Sequence, residues 1–136
     1  MTHDSASRST FDLLLTPAVA ALLFVAGYAA LFVAPTERSM GVVQRIFYFH
    51  VPSAWTAFVA FFIVFIANIA YLTRRRQHWD WLAVSAAEVG LAFCTVVLVT
   101  GPLWAKPVWF IWWTWDARLT STLVLWLLYL TYLLVR

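Results

Sequence analysis

Between Trp104 and Thr120 the chain reads WAKPVWFIWWTWDARLT, placing five of its nine tryptophans within twelve positions. If residues 109–116 are helical, Trp109, Trp112, Trp113 and Asp116 follow i, i+3, i+4, i+7 and share one face. That face would be a flat aromatic platform with an acid at its end, while Trp115 and Arg118 point elsewhere. Two plainer roles compete with it. Tryptophan gathers at membrane interfaces because its ring is amphipathic, and Asp116 is well placed to cap a helix that follows it. A second segment, Met40 to Pro52, reads MGVVQRIFYFHVP. In it Val43, Ile46, Phe47 and His50 fall at helical spacing opposite Gln44, Arg45 and Tyr48. The pattern predicts a short amphipathic helix lying in the interface, with His50 on its apolar face. Pro52 disfavours helical geometry at Val51, so a bend is expected just after the histidine.

A neutral imidazole in an apolar setting is a natural axial ligand for haem iron, although a lone interfacial histidine also serves as a hydrogen-bonded structural residue. Haem presents a broad apolar face, two anionic propionates and an iron that seeks nitrogen. An aromatic platform, a histidine and the cations Arg45, Lys106 and Arg118 match those demands. The same cations can meet lipid phosphates, and an aromatic, basic surface can equally hold a quinone headgroup or a peptide.

The elements that must position these groups are hydrophobic helices. Apolar residues make up 64% of the 136 positions and charged residues only 11%, against roughly 45–50% and about 25% in an ordinary soluble domain. A soluble fold of this composition would leave large apolar patches in water. Four apolar runs stand out, at about 11–34, 51–72, 81–103 and 119–136, with a loop at 104–118 that carries the tryptophans. A span needs about 20 residues; the first three runs meet that length and the fourth is marginal. The expected fold is all-α, a single polytopic transmembrane bundle of about four spans over residues 1–136, with the interfacial helix before the second span. The first run is too long for a signal-peptide core and lacks a small-residue cleavage site, so it reads as a retained helix.

Parity of crossing puts the amino terminus and the Arg74–Asp80 loop on one side. The 35–50 and 104–118 loops lie on the other. The dense basic cluster Arg74, Arg75 and Arg76 favours the cytoplasm for the first side. The net charge of +3 is scattered, without the basic face that nucleic acid requires. Cys94 is the single cysteine and no CxxCH occurs, so the chain does not attach haem covalently as a c-type cytochrome does. Neither a catalytic triad, an HExxH helix nor a phosphate-binding loop is present. Within the third run, Glu88 is an ionisable group at membrane depth, a costly placement. Pairing with Asn68 or Ser85 as helix glue is its simplest role. Cys94 reads as a packing residue, and Gly90 with Ala86 or Ala87 would allow close helix approach.

The run Trp109-x-x-Trp112-Trp113-x-Trp115-Asp116-x-Arg118-Leu-Thr resembles the WWD signature of the haem-handling membrane proteins of cytochrome c biogenesis. The segment Arg45-Ile-Phe-Tyr-Phe-His50-Val-Pro52 is similar to the one that carries the first axial histidine in the haem exporter protein C family. Together with the spacing of the spans, the resemblance covers nearly the whole chain. The resemblance implies that His50 is an axial ligand of haem b held non-covalently in transit. It also implies that Trp112, Trp113, Trp115 and Asp116 edge a platform presenting haem to a periplasmic haem chaperone. ABC-type transporter subunits of the cytochrome c maturation complex would supply energy. The bacterial cytoplasmic (inner) membrane would be the location, with the WWD loop outside and membrane lipid around the spans. Family members usually have glycine where this chain has Phe110, and they have about six spans with a second histidine in a later outer loop. His3 and His78 cannot replace it, which reads as an N-terminal fragment. The function expected is haem binding and delivery rather than enzymatic. The alternatives are a haem lyase or synthetase subunit of the same superfamily, which would join haem to apocytochrome, and a purely structural membrane subunit.

Overall fold

The computed structural model describes residues 10–136. Its helices are α1 (Thr10–Tyr28), α2 (Phe47–Arg74), α3 (Gln77–Trp109) and α4 (Ala117–Val135). All four belong to stretches long and apolar enough to cross a membrane, and no strand occurs among the described residues. The chain divides into two compact units, one ending at Thr36 and the other running from Glu37 to Arg136. In the first unit, α1 carries Pro17 and passes into a single π-helical turn over Ala29–Val33. Its large side chains from Leu13 to Val33 are mostly exposed.

The second unit opens with a tight turn in which the Glu37 carboxylate accepts hydrogen bonds from the backbone N–H groups of Ser39 and Met40, at 2.8 and 2.6 Å. One 3-10 turn, Val42–Ile46, then leads directly into α2. This differs from the expected interfacial helix with a bend after His50. Residues 47–52 are already part of the long helix, and Pro52 sits inside it. Lacking an N–H, Pro52 leaves the Tyr48 carbonyl four residues back without its usual donor, and the helix continues past it. The Thr56 hydroxyl also donates to the Pro52 carbonyl at 2.8 Å.

The seam between α2 and α3 is made of small residues. Ala57, Ala60, Ala67, Ala83, Ala86, Ala87, Gly90 and Cys94 are buried, and Ala83 and Ala87 have no exposed surface at all. In a membrane, apolar side chains gain little by leaving lipid for protein. Association then relies on close backbone approach and dispersion, which small side chains permit. Gly90 marks the tightest point, because a Cβ there would lie 2.6 Å from Phe61 Cε1. The Phe61 ring also stacks on Tyr129 of α4, with centroids 4.0 Å apart and planes 16° from parallel. Besides that stack, α4 is held to α3 by Trp126, whose indole N–H donates to the Thr95 hydroxyl at 2.8 Å, and by an ion pair of Arg136 with Asp80. No α4 residue is fully buried.

Glu88 is exposed on α3, as is Ser85, and no hydrogen bond joins it to Ser85 or Asn68 among the described residues. The expected pairing is therefore not formed in this chain. Cys94 packs with Ala57 and Phe61, in keeping with a packing role.

Candidate functional site: an aromatic cavity at one end of the bundle

Helices α2, α3 and α4 alternate in direction. Contacts between Phe47 and Trp104 mark one end of the unit, and the Arg136–Asp80 pair marks the other. At the first end lies a cavity of about 400 Å³, within the usual range for small-molecule sites. Its aromatic wall is continuous. Phe47 meets Trp104 edge-on with centroids 5.1 Å apart, Trp104 meets Trp109 in the same way at 4.7 Å, and Trp112 completes it. The far wall is Arg118, Leu119 and Thr122 of α4.

His50 lines this cavity. Its Nδ1 lies 2.8 Å from the hydroxyl of Thr100, which stands across the α2–α3 seam at the same height. The Trp104 indole N–H is buried with no hydrogen-bond partner among the described residues. Such an orphaned donor costs free energy unless something supplies an acceptor. The cavity presents apolar aromatic faces, an imidazole and a guanidinium, while the Trp104 donor lies behind its lining.

The Trp-rich segment does not fold as one helical face. Helix α3 continues through Pro102 and Pro107 and stops at Trp109; residues 110–116 are irregular. Its cap is Phe110, in the left-handed region at φ 62°, with its N–H bonded to the Lys106 carbonyl. That conformation favours glycine, the residue that the resemblance led one to expect at this position. Breaking the helix there separates the tryptophans. Trp109 and Trp112 line the cavity, whereas Trp113 and Trp115 are not among its lining residues and pack edge-on against each other, 5.7 Å apart. Trp115 is 77% exposed.

Asp116 caps α4. Its Oδ1 accepts from the N–H groups of Arg118 and Leu119 at 2.9 and 3.0 Å, and its Oδ2 accepts from the Thr114 hydroxyl at 2.6 Å. The Thr114 bond first, then the backbone bonds and the nearby Arg118 charge, hold its carboxyl below the usual carboxylate range. Arg118 stays largely solvent-exposed, 3.9 Å from Asp116, and reaches the cavity wall.

The other expected cations lie elsewhere. Lys106 donates to the Phe110 carbonyl at 3.3 Å and sits 5.8 Å from the Trp112 ring centroid, bound to the helix end. Arg45 lies on the 3-10 turn and is not among the lining residues. His78 is at the opposite end of the unit, beside Trp79, and His3 lies outside the described residues. Three further residues belong to the site: Phe47 and Trp104 in the lining, and Thr100 behind His50. Phe47 shares a helical face with His50, which was a usable signal. Thr100 carried none, since only the α2–α3 register brings it opposite the histidine.

Alternating helices, each from a stretch long and apolar enough to cross a membrane, define a multi-pass membrane protein with an aromatic cavity at one end of its second unit. The particular family is the one described as heme exporter protein C, whose model matches residues 4–136, and the chain belongs to it. The chain is 38% identical to the heme exporter protein C of Bradyrhizobium diazoefficiens over 83% of its residues, covering 43% of that protein. Similarity to the protein of the same name in Paracoccus denitrificans is 36% over 84% of the chain and 47% of the relative. For Escherichia coli K12 the figures are 38%, 71% and 39%. The chain thus spans less than half the length of these relatives.

Proposed function

We propose that this chain binds haem b non-covalently in the cavity and delivers it during cytochrome c maturation, as a transfer protein rather than an enzyme. In this reading His50 is an axial ligand of the iron, and Phe47, Trp104, Trp109 and Trp112 cover the macrocycle. Arg118 pairs with a propionate. Trp113, Trp115 and Asp116 form the outer edge, from which haem passes to a periplasmic haem chaperone. The cavity end then faces outward from the bacterial cytoplasmic membrane, with the amino terminus and Arg74–Arg76 on the cytoplasmic side, and ABC-type subunits supply the energy. The observation that carries the proposal is the meeting of imidazole, aromatic wall and guanidinium in one cavity, in a chain of the heme exporter protein C family.

The test is an absorption spectrum of the detergent-purified chain produced with haem available, beside His50→Ala. A Soret band in the parent that shrinks in the variant supports ligation by His50. A parent band of the same position and intensity in the variant overturns it. No band in either chain calls for the same pair in a polypeptide extended to the full length of the relatives; absence there as well sinks the haem reading.

A further inference from the structure

The hydroxyl of Thr100 makes two short polar contacts, one to His50 Nδ1 at 2.8 Å and one to the Val96 carbonyl at 2.7 Å. A carbonyl oxygen can only accept, so the Val96 contact is a hydrogen bond only if Thr100 donates its single proton there. The hydroxyl then has lone pairs alone to offer His50, and the imidazole must donate from Nδ1. The reverse arrangement, with Thr100 donating to a bare Nδ1, would leave two oxygens 2.7 Å apart with no proton between them. Donation to the helix's own carbonyl four residues back is the habitual bond of a threonine in a helix. Turning the proton toward the ring by rotation about Cβ–Oγ1 would give up that bond.

We propose that Thr100 is the positioning residue of the site: it holds His50 in its Nδ1–H tautomer and leaves Nε2 as the nitrogen with a free lone pair. No hydrogen bond to Nε2 occurs among the described residues. The two partners stand on α2 and α3, the most tightly seamed pair of helices, so the ring's orientation is set by the rigid part of the unit. Gly101, next to Thr100, adds no side chain against the ring; a Cβ built there would stand 3.6 Å from His50 Cε1. A ligating histidine commonly has its second nitrogen fixed in this way, and losing the outer partner typically weakens binding 10- to 100-fold. The inference rests on the haem reading for its purpose, but not for its geometry.

Two measurements separate the two. In the whole chain labelled with ¹⁵N-histidine, long-range ¹H–¹⁵N correlation at alkaline pH, where the ring is neutral, reports which ring nitrogen carries the proton. His50 signals are assigned by their loss in His50→Gln. The expected result is a single Nδ1–H form in the parent and in Thr100→Ser, giving way to a mixture or to Nε2–H in Thr100→Val. An Nε2–H parent, or a tautomer unchanged in Thr100→Val, overturns the assignment. Haem titration of the same variants should show binding weakened about tenfold in Thr100→Val and recovered in Thr100→Ser. Unweakened binding in Thr100→Val, with His50→Ala devoid of it, also overturns a positioning role. If His50→Ala binds haem as the parent does, the ligation reading fails, and the nitrogen spectra still decide the tautomer.

Discussion

At the scale of single residues, two positions carry clear consequences. Phe110 occupies the left-handed cap of α3 at φ 62° while its side chain is 82% exposed. A non-glycine residue there bears a strain of about 1–2 kcal/mol, and an exposed ring offers little packing to lose. Phe110→Gly should therefore raise the resistance of the purified chain to thermal unfolding by about 1 kcal/mol; a lowered midpoint would show that the ring packs against something in the membrane. Asp116 gives a pH dependence. Its folded value lies below the ordinary value of 3.8, so its contribution to the α4 cap is fully present above that and is lost as pH falls through the lowered value. Protection of the Arg118 and Leu119 amides against hydrogen exchange should thus be flat between pH 5 and 8 and collapse only in strong acid. In Asp116→Ala it should be low throughout. The capping role was legible from an acid ahead of an apolar run. The strain at Phe110 was not legible from composition or spacing, because a backbone angle leaves no mark in either.

Among the elements, the α2–α3 seam should be the least tolerant of added volume. A methyl at Gly90 would approach Phe61 Cε1 and Cδ1 at 2.6 and 2.8 Å, and the ring cannot retreat freely because Tyr129 is stacked on its other face. Overpacking of this kind costs about 1–3 kcal/mol. Gly90→Ala should lower stability by that amount in denaturing-detergent titrations, and Phe61→Leu in the same chain should recover part of it. Equal stability of Gly90→Ala and parent would mean that the seam is looser than drawn. The small residues of this seam could be read from the sequence, since alanine and glycine at helical spacing suggest close approach. The aromatic wedge could not, because Phe61, Gly90 and Tyr129 come from three helices whose registers no local pattern records. The Trp-rich segment failed in the opposite sense. Its helical spacing was real, yet α3 ended inside it, because a left-handed cap at Phe110 and a fresh cap at Asp116 together outweigh periodicity over so short a stretch.

For the molecule as a whole, alternation of crossing follows from span count alone, and in the second unit it places His50 and the tryptophans of residues 104–115 at one end and Arg74–Arg76 at the other. The make-up of the cavity wall was less legible: only contacts between α2, α3 and α4 choose Trp109, Trp112 and Arg118 over Trp113, Trp115 and Arg45. The height of that cavity has a thermodynamic consequence. His50, Thr100 and Thr122 belong to helices long and apolar enough to cross the bilayer, so a guest apolar enough to dissolve in lipid would meet them from the bilayer. Each buried methylene favours that transfer by about 0.8 kcal/mol. Occupancy then follows moles of guest per mole of lipid: doubling the lipid at constant protein halves the filling of a sparsely occupied site with no contact altered. A shallow cavity with modest intrinsic grip can by this means stay filled with a guest too scarce in water to measure.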